Sequence, residues 1–217
     1  MTSEVWSVFT TFALVGFFGL VVIINPPATI PFFTALTSSM SDADTAAIAR
    51  RACIYCFAIL LASLFAGSLV LNAFGISHGA LRIAGGLVLA LLGYGMLFGR
   101  GSSANLVQGG EHQNLAFFPL AMPGITGPGT IAVVIGISTE IRELDGLYRE
   151  STAYLATVLA MFTACVLELV VLRSARRISA RMGPAGIEVM TRLMGFLLIC
   201  VGVQFIASGV RTFVAEI

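Results

Sequence analysis

The sequence predicts an all-α, polytopic membrane protein: six transmembrane helices arranged as a 3+3 inverted repeat, with the first and fourth helices interrupted. Three observations predict it. The chain is 58% apolar and only 11% charged, with a mean hydropathy of +0.97, whereas soluble domains run about 45–50% apolar and about 25% charged. So small a body cannot hide that surplus from water, so the bilayer is the solvent. The apolar residues fall into six runs, each long enough for the roughly 20 residues a crossing needs. Two of those runs are broken by the same short pattern.

In chain order the runs cover about residues 5–37, 45–71, 79–98, 114–138, 152–172 and 186–213. The first exceeds one crossing because it contains a break. The second follows the polar stretch 38–44, and the third follows the tight turn "GISHG" from Gly75. The fourth, after 100–113, holds the second break. The fifth follows 140–150 and stops at the arginines of 173–183, beyond which the sixth begins. No connection is long enough to fold separately. Residues 1–217 therefore read as a single transmembrane domain, with one repeat at about 5–99 and the other at about 114–213. The first run lacks a basic flank and is too long for a cleavable signal, so it reads as retained.

The two breaks share the spacing Pro-x-x-Thr-x-Pro: "PPATIP" from Pro26 and "PGITGP" from Pro123. Proline removes a backbone donor and disfavours helix in the residue before it. Each first helical piece should end near Asn25 or Met122. Threonine is a good N-cap and proline is tolerated in a first turn. Each second piece should restart at Thr29 or Thr126, with Pro31 or Pro128 in its opening turn. Asn25 lies a full bilayer core beyond Val5. Either the first dozen residues lie at the interface with Trp6 as anchor, or this segment is re-entrant.

A weaker echo follows each break. "LRIAGG" from Leu81 resembles "TRLMGF" from Thr191, aligning Arg82 with Arg192 and Gly85 with Gly195, although Gly93 and Gly202 then fall out of step by one. With three segments per half, the second half starts on the opposite side of the membrane. That is the inverted repeat common in secondary transporters, whose sites often sit at paired interrupted helices. The glycines Gly85, Gly86, Gly93, Gly195 and Gly202 read as helix-packing positions.

All twelve basic residues are arginine. Arg50, Arg51, Arg100, Arg173, Arg176, Arg177 and Arg181 fall on the odd-numbered connections, against Arg82, Arg142, Arg149 and Arg211 on the other side, where Glu140, Glu143, Asp145 and Glu150 dilute them. The positive-inside rule places the odd connections in the cytoplasm and both termini outside.

A backbone break in hydrocarbon must face protein or a wet cavity. A helix restarting there points free N–H groups and a positive dipole end into that space, a natural seat for a carboxylate. The candidate binding residues are Asn25, Pro26, Thr29, Thr126, Gly127, Gly129 and Thr130, with Gly124 also allowing close backbone approach. The Asn25 side-chain oxygen and unwound carbonyls could accept from an ammonium group.

"INPPATIPFF", "LRIAGG", "FFPLAMPGITGPGTIA" and "RLMGFLLICVGVQFI" closely resemble the MarC membrane proteins, over about residues 16–209. That family is also called the neutral amino acid transporter family. The resemblance implies a multi-pass inner-membrane protein related in fold to LysE-type exporters. It also implies secondary transport of small neutral amino acids such as glycine, coupled to an ion gradient, with protons as the coupling ion. The other readings are a non-transporting regulatory or assembly protein, or an exporter of other small metabolites.

The remaining polar residues are weighed individually. Glu168, close before Arg173, reads as a snorkelling or ion-paired acid ahead of a proton relay, so no acid stands clearly at mid-membrane. Glu188 and Arg192 are spaced i, i+4 as a structural ion pair. Gln204 and Arg82 are left open. Cys53, Cys56, Cys165 and Cys200 read as small buried residues rather than a redox or metal centre, with no cofactor implied. "GISHG" matches a nucleophile-elbow spacing, but lacks the strand-turn-helix setting and has only His112 downstream, so no enzyme is expected. No basic stretch with interleaved aromatics suggests nucleic acid. The oligomeric state is not written in the sequence.

Overall fold

The computed structural model describes residues 2–98, 114–142 and 144–215. The third connection with Arg100 and His112, together with Glu143, lies outside the described residues. Within them the chain is helical: α1 (Thr2–Ile24), α2 (Pro26–Leu36), α3 (Asp42–Phe74), α4 (His78–Phe98), an irregularly wound segment Ala116–Ile125, α5 (Pro128–Arg142) and α6 (Leu147–Ala215). No strand occurs among the described residues. Helices α1, α3, α4 and α6 are long and apolar enough to cross a membrane. Their outward faces are apolar, with Phe18, Leu69, Phe74, Leu91 and Phe196 all exposed, which suits lipid and not water.

The ends are set by local chemistry. Helix α1 stops at Ile24 because Asn25 takes a left-handed conformation (φ 51°, ψ 64°) and two prolines follow. The start of α3 is fixed by Ser41, whose Oγ accepts from the Asp44 amide at 3.2 Å. The Ser77 hydroxyl caps α4, accepting from the Ala80 amide at 3.1 Å. That is the serine of the "GISHG" turn, held in an ordinary N-cap role.

The first break does not reverse the chain. A Cβ on Gly16 would meet the Ala160 methyl, Thr29 bonds Glu168, and Arg176 donates to the carbonyls of Thr37 and Met40. Both numbers rise together, so α1 and α2 run parallel to the first part of α6, and the re-entrant alternative falls. Arg176 also pairs with Asp42. The first polar stretch and the arginines of α6 therefore share one end of the molecule. Those arginines are not on a loop: α6 stays helical to Met182, and only Gly183 (φ 68°, ψ 175°) departs from helix.

At Gly183 the chain turns back. Lateral contacts run from Cys165 to Cys56, Cys56 to Thr126, Gly129 to Leu89, and Gly86 to Gly202. Cys165 and Gly202 thus lie in one layer, with Gly183 midway between them along the chain. A straight helix would hold them about 55 Å apart.

The main core is built from α1, α2, α3, the irregular segment, α5 and the first part of α6, around Leu20, Phe33, Leu60, Leu64, Leu120 and Met161. Helix α4 and the last part of α6 form a separate pair, held by backbone contact. A Cβ on Gly86 would sit 2.5 Å from the Gly202 carbonyl oxygen, and one on Gly93 would sit 2.5 Å from that of Gly195. These antiparallel glycines bear the packing role read from the sequence, since any side chain would force the helices apart. Gly85 packs separately, against Gly129 and Ala132 of α5.

Candidate functional site

Each break obeys the proline rule, and each departs from the expected restart. At the first, Asn25 occupies the N-cap position without a side-chain capping bond, and α2 begins at Pro26 rather than Thr29. Thr29 sits a turn inside the helix, its Oγ 2.8 Å from the Pro26 carbonyl. At the second, the residues before Pro119 and Pro123 are forced into extended conformations: Phe118 at φ −122°, ψ 128° and Met122 at φ −131°, ψ 123°. The chain stays irregular through Thr126 (φ −106°, ψ 71°), and α5 restarts at Pro128. Gly127, not Thr126, therefore precedes the first helical residue.

Neither threonine side chain caps a helix N-terminus, because each faces across the bundle instead. Thr29 Oγ lies 2.7 Å from Glu168 Oε1 on α6. Thr126 Oγ lies 2.7 Å from Cys56 Sγ on α3. Cys56 Sγ is in turn 3.8 Å from Cys165 Sγ, one turn before Glu168 on α6. Thr29, Glu168, Cys165, Cys56 and Thr126 thus form a buried polar band from one break to the other. All five are almost completely inaccessible, with Glu168 at 1% exposure. Thr130 is buried one turn further along α5, its hydroxyl 3.4 Å from the Ile125 carbonyl. Asn25 is half-buried, Gly127 and Gly129 are buried, and Gly124 is exposed.

The two helix starts differ as anion seats. An α-helix leaves its first four N–H groups without a partner inside the helix. In α2, Pro26 and Pro27 have no N–H, and the Ala28 amide bonds the Asn25 carbonyl at 2.8 Å. In α5 only Pro128 lacks one, and Gly129 and Thr130 follow it. The second helix start therefore keeps backbone N–H donors that the first lacks.

Glu168 corrects two readings. It neither snorkels nor pairs with an arginine: its only partner among the described residues is Thr29, and its Oε2 has none. An acid does stand in the interior. The misleading signal was its nearness to Arg173, which reads as a helix end. The helix in fact continues through those arginines to Met182, which leaves Glu168 inside. Cys56 and Cys165 are buried as read, but as links in the polar band, and Cys200 is exposed. Arg192 does pair with Glu188, at 2.6 Å. Arg82 reaches Thr212 Oγ at 3.3 Å, and Gln204 is exposed. No cluster of metal ligands occurs among the described residues. A cleft of about 500 Å³ lies apart from the band, between α2 and the α6 turn, lined by Thr34, Ser38, Arg176, Ser179, Gly183 and Pro184.

Residues 10–214 match the model of the MarC family integral membrane proteins. Relatives named UPF0056 inner membrane protein MarC, from Escherichia coli strain K12 and from Shigella flexneri, are each 39% identical over 204 residues. The alignments cover 88% of this chain and 92% of each relative. No solved structure matches the chain. The chain belongs to the MarC family of integral membrane proteins.

Proposed function

Starting from a MarC family membrane protein whose two helix breaks meet through one buried polar band, we propose that the chain is a secondary transporter of small neutral amino acids. The observation that carries this reading is the band itself: two breaks nearly a hundred residues apart are linked by side-chain contacts through α3 and α6. Paired discontinuous helices are where secondary transporters hold substrate. The substrate carboxylate sits at the start of α5, against the N–H groups of Gly127, Gly129 and Thr130. The ammonium sits toward the first break, where Asn25 offers its side-chain oxygen. The small residues around the α5 start, with Gly129 against Leu89 and Gly85, favour a short side chain.

The same reading makes the chain six crossings in two inverted halves, with both termini outside and the arginine-rich end in the cytoplasm. Treating Gly86 and Gly195 as equivalents, and Gly93 and Gly202 likewise, turns the contact Gly86–Gly202 into Gly93–Gly195, as a two-fold axis between these helices requires. That register differs by one from the alignment of Arg82 with Arg192.

Counterflow into proteoliposomes tests the proposal, using glycine, alanine and serine beside an unrelated set of antibiotics. Labelled glycine should exchange against unlabelled glycine and alanine, and glycinamide, which lacks the carboxylate, should not compete. Exchange absent for every amino acid would overturn the reading.

A further inference from the structure

Glu168 is the only acid or base in the buried set among the described residues, and its surroundings restrict the protons it can share. Thr29 Oγ is 2.8 Å from the Pro26 carbonyl and 2.7 Å from Glu168 Oε1. A hydroxyl has one proton to give, a carbonyl only accepts, and an ionised carboxylate only accepts. With Glu168 ionised, Thr29 can satisfy one of its two neighbours. With Glu168 protonated, the acid donates to Thr29, Thr29 donates to Pro26, and the line is complete. Pro26 is the first residue of α2, directly after left-handed Asn25. The state of the acid is therefore felt at the backbone of the first break.

From this we propose that Glu168 is the proton-binding group of the transport cycle, and that Thr29 passes its charge state to the first break. The inference rests on the transport reading above and names its coupling residue. The groups facing Glu168 are Thr29 from α2, the thiols of Cys53 and Cys56 from α3, and Cys165 on its own helix. No ion pair joins Glu168 to an arginine among the described residues. No fixed positive charge among the described residues occupies the place of the proton. Intramembrane acids in such settings mark proton relays. The free Oε2 is the atom at which the proton arrives and from which it leaves, and a half-turn of the carboxyl exchanges the two oxygens and brings the O–H to Thr29.

Glu168→Gln keeps the shape and the contact to Thr29 but cannot exchange a proton. In vesicles holding an entrapped pH dye, the wild type should acidify the lumen during glycine uptake. The variant should lose both this acidification and glycine accumulation driven by a pH gradient, while keeping glycine–glycine counterflow. Acidification that survives in Glu168→Gln places the proton elsewhere and overturns the proposal. Loss of counterflow in a variant that elutes as the native species means the acid holds the substrate amino group, and overturns it too. Infrared difference spectra with pH supply a readout that needs no substrate. A protonated-carboxyl band should appear on acidification in the wild type, vanish in Glu168→Gln and shift in Thr29→Val. A band untouched by either substitution also overturns the proposal. If Glu168→Gln does not fold, Thr29→Val alone decides. If the wild type carries no amino acid, the transport reading fails while the band still reports on Glu168.

Discussion

At Asn25 the chain leaves the helix for one residue and resumes at Pro26; at the matching pattern it stays irregular from Phe118 to Gly127. Both stretches read Pro-x-x-Thr-x-Pro, so the prolines alone do not decide the shape. The residues before them do. Asparagine tolerates the left-handed region at little cost, and a single such residue both ends α1 and starts α2. Phe118 and Met122 cannot use that route. Each is pushed into an extended conformation by the proline after it, and the helix is lost over two turns. The first break keeps its backbone nearly continuous and removes N–H donors with two adjacent prolines. The second opens its backbone and leaves donors at Gly129 and Thr130. In the proposed transport reading, the first break suits a conformational signal and the second suits the substrate carboxylate.

The largest effect that should separate them is at the threonines. Thr29→Val would strip Glu168 of its one partner among the described residues and leave a buried acid with none there. Orphaning such a group costs about 1–3 kcal/mol, so thermal unfolding in detergent should show a marked drop. A drop no larger than that of Thr126→Val would remove the difference drawn here.

Asn25 gives the next effect and a change of sign. Asn25→Ala places a Cβ-bearing residue with no polar side chain at φ 51°, which costs about 1–2 kcal/mol. Asn25→Gly removes the steric objection and should leave stability unchanged or raise it. Should the two variants unfold at the same temperature, the left-handed residue is not what holds the first break.

Gly127→Ala and Gly129→Ala sharpen the ligand side. A Cβ at Gly129 would press 2.6 Å from Leu89 Cδ1 and 2.8 Å from its Cγ, so the whole Leu89 side chain must shift. The fold should survive while the space beside the α5 N–H groups shrinks. Glycine affinity should fall in both variants and fall less in Asn25→Gly, which removes only the acceptor for the ammonium. Equal losses at the two breaks would argue for one shared seat instead of two distinct ones.

Much of this was readable before any coordinates. Composition and run length give the helical membrane bundle, and the proline rule gives the end at Ile24; at the second break no regular helix leads up to Met122, because Phe118 is already extended. The glycines give close helix packing, but not which helices meet. What sequence could not give is which way a break turns its threonines. Capping is a local rule, and both Thr29 and Thr126 follow a longer-range one, set by Glu168 and Cys56 on helices that spacing alone does not bring near. The place of Glu168 was hidden for a related reason. Arginines usually mark a helix end at the interface, yet α6 carries Arg173, Arg176, Arg177 and Arg181 on helix that runs to Met182. Charge marked the membrane boundary and hid the length of the helix.

The smallest expected effect is at Thr126, and it is the strictest test of the contrast. Among the described residues its hydroxyl meets a thiol, a weak acceptor, at 2.7 Å. Interhelical hydrogen bonds in membranes average roughly 0.6 kcal/mol, and valine keeps the shape of threonine. Thr126→Val should therefore cost under about 1 kcal/mol and leave Cys56 a small buried thiol. Because the donors at this break are backbone N–H groups, glycine counterflow should persist as well. Cys56→Ser offers the complementary change, since a hydroxyl there can both give and accept, and it should restore or strengthen the contact to Thr126. If Thr126→Val abolishes exchange at unchanged stability, the side-chain hydroxyl rather than the backbone holds the carboxylate, and the second break works by the same means as the first.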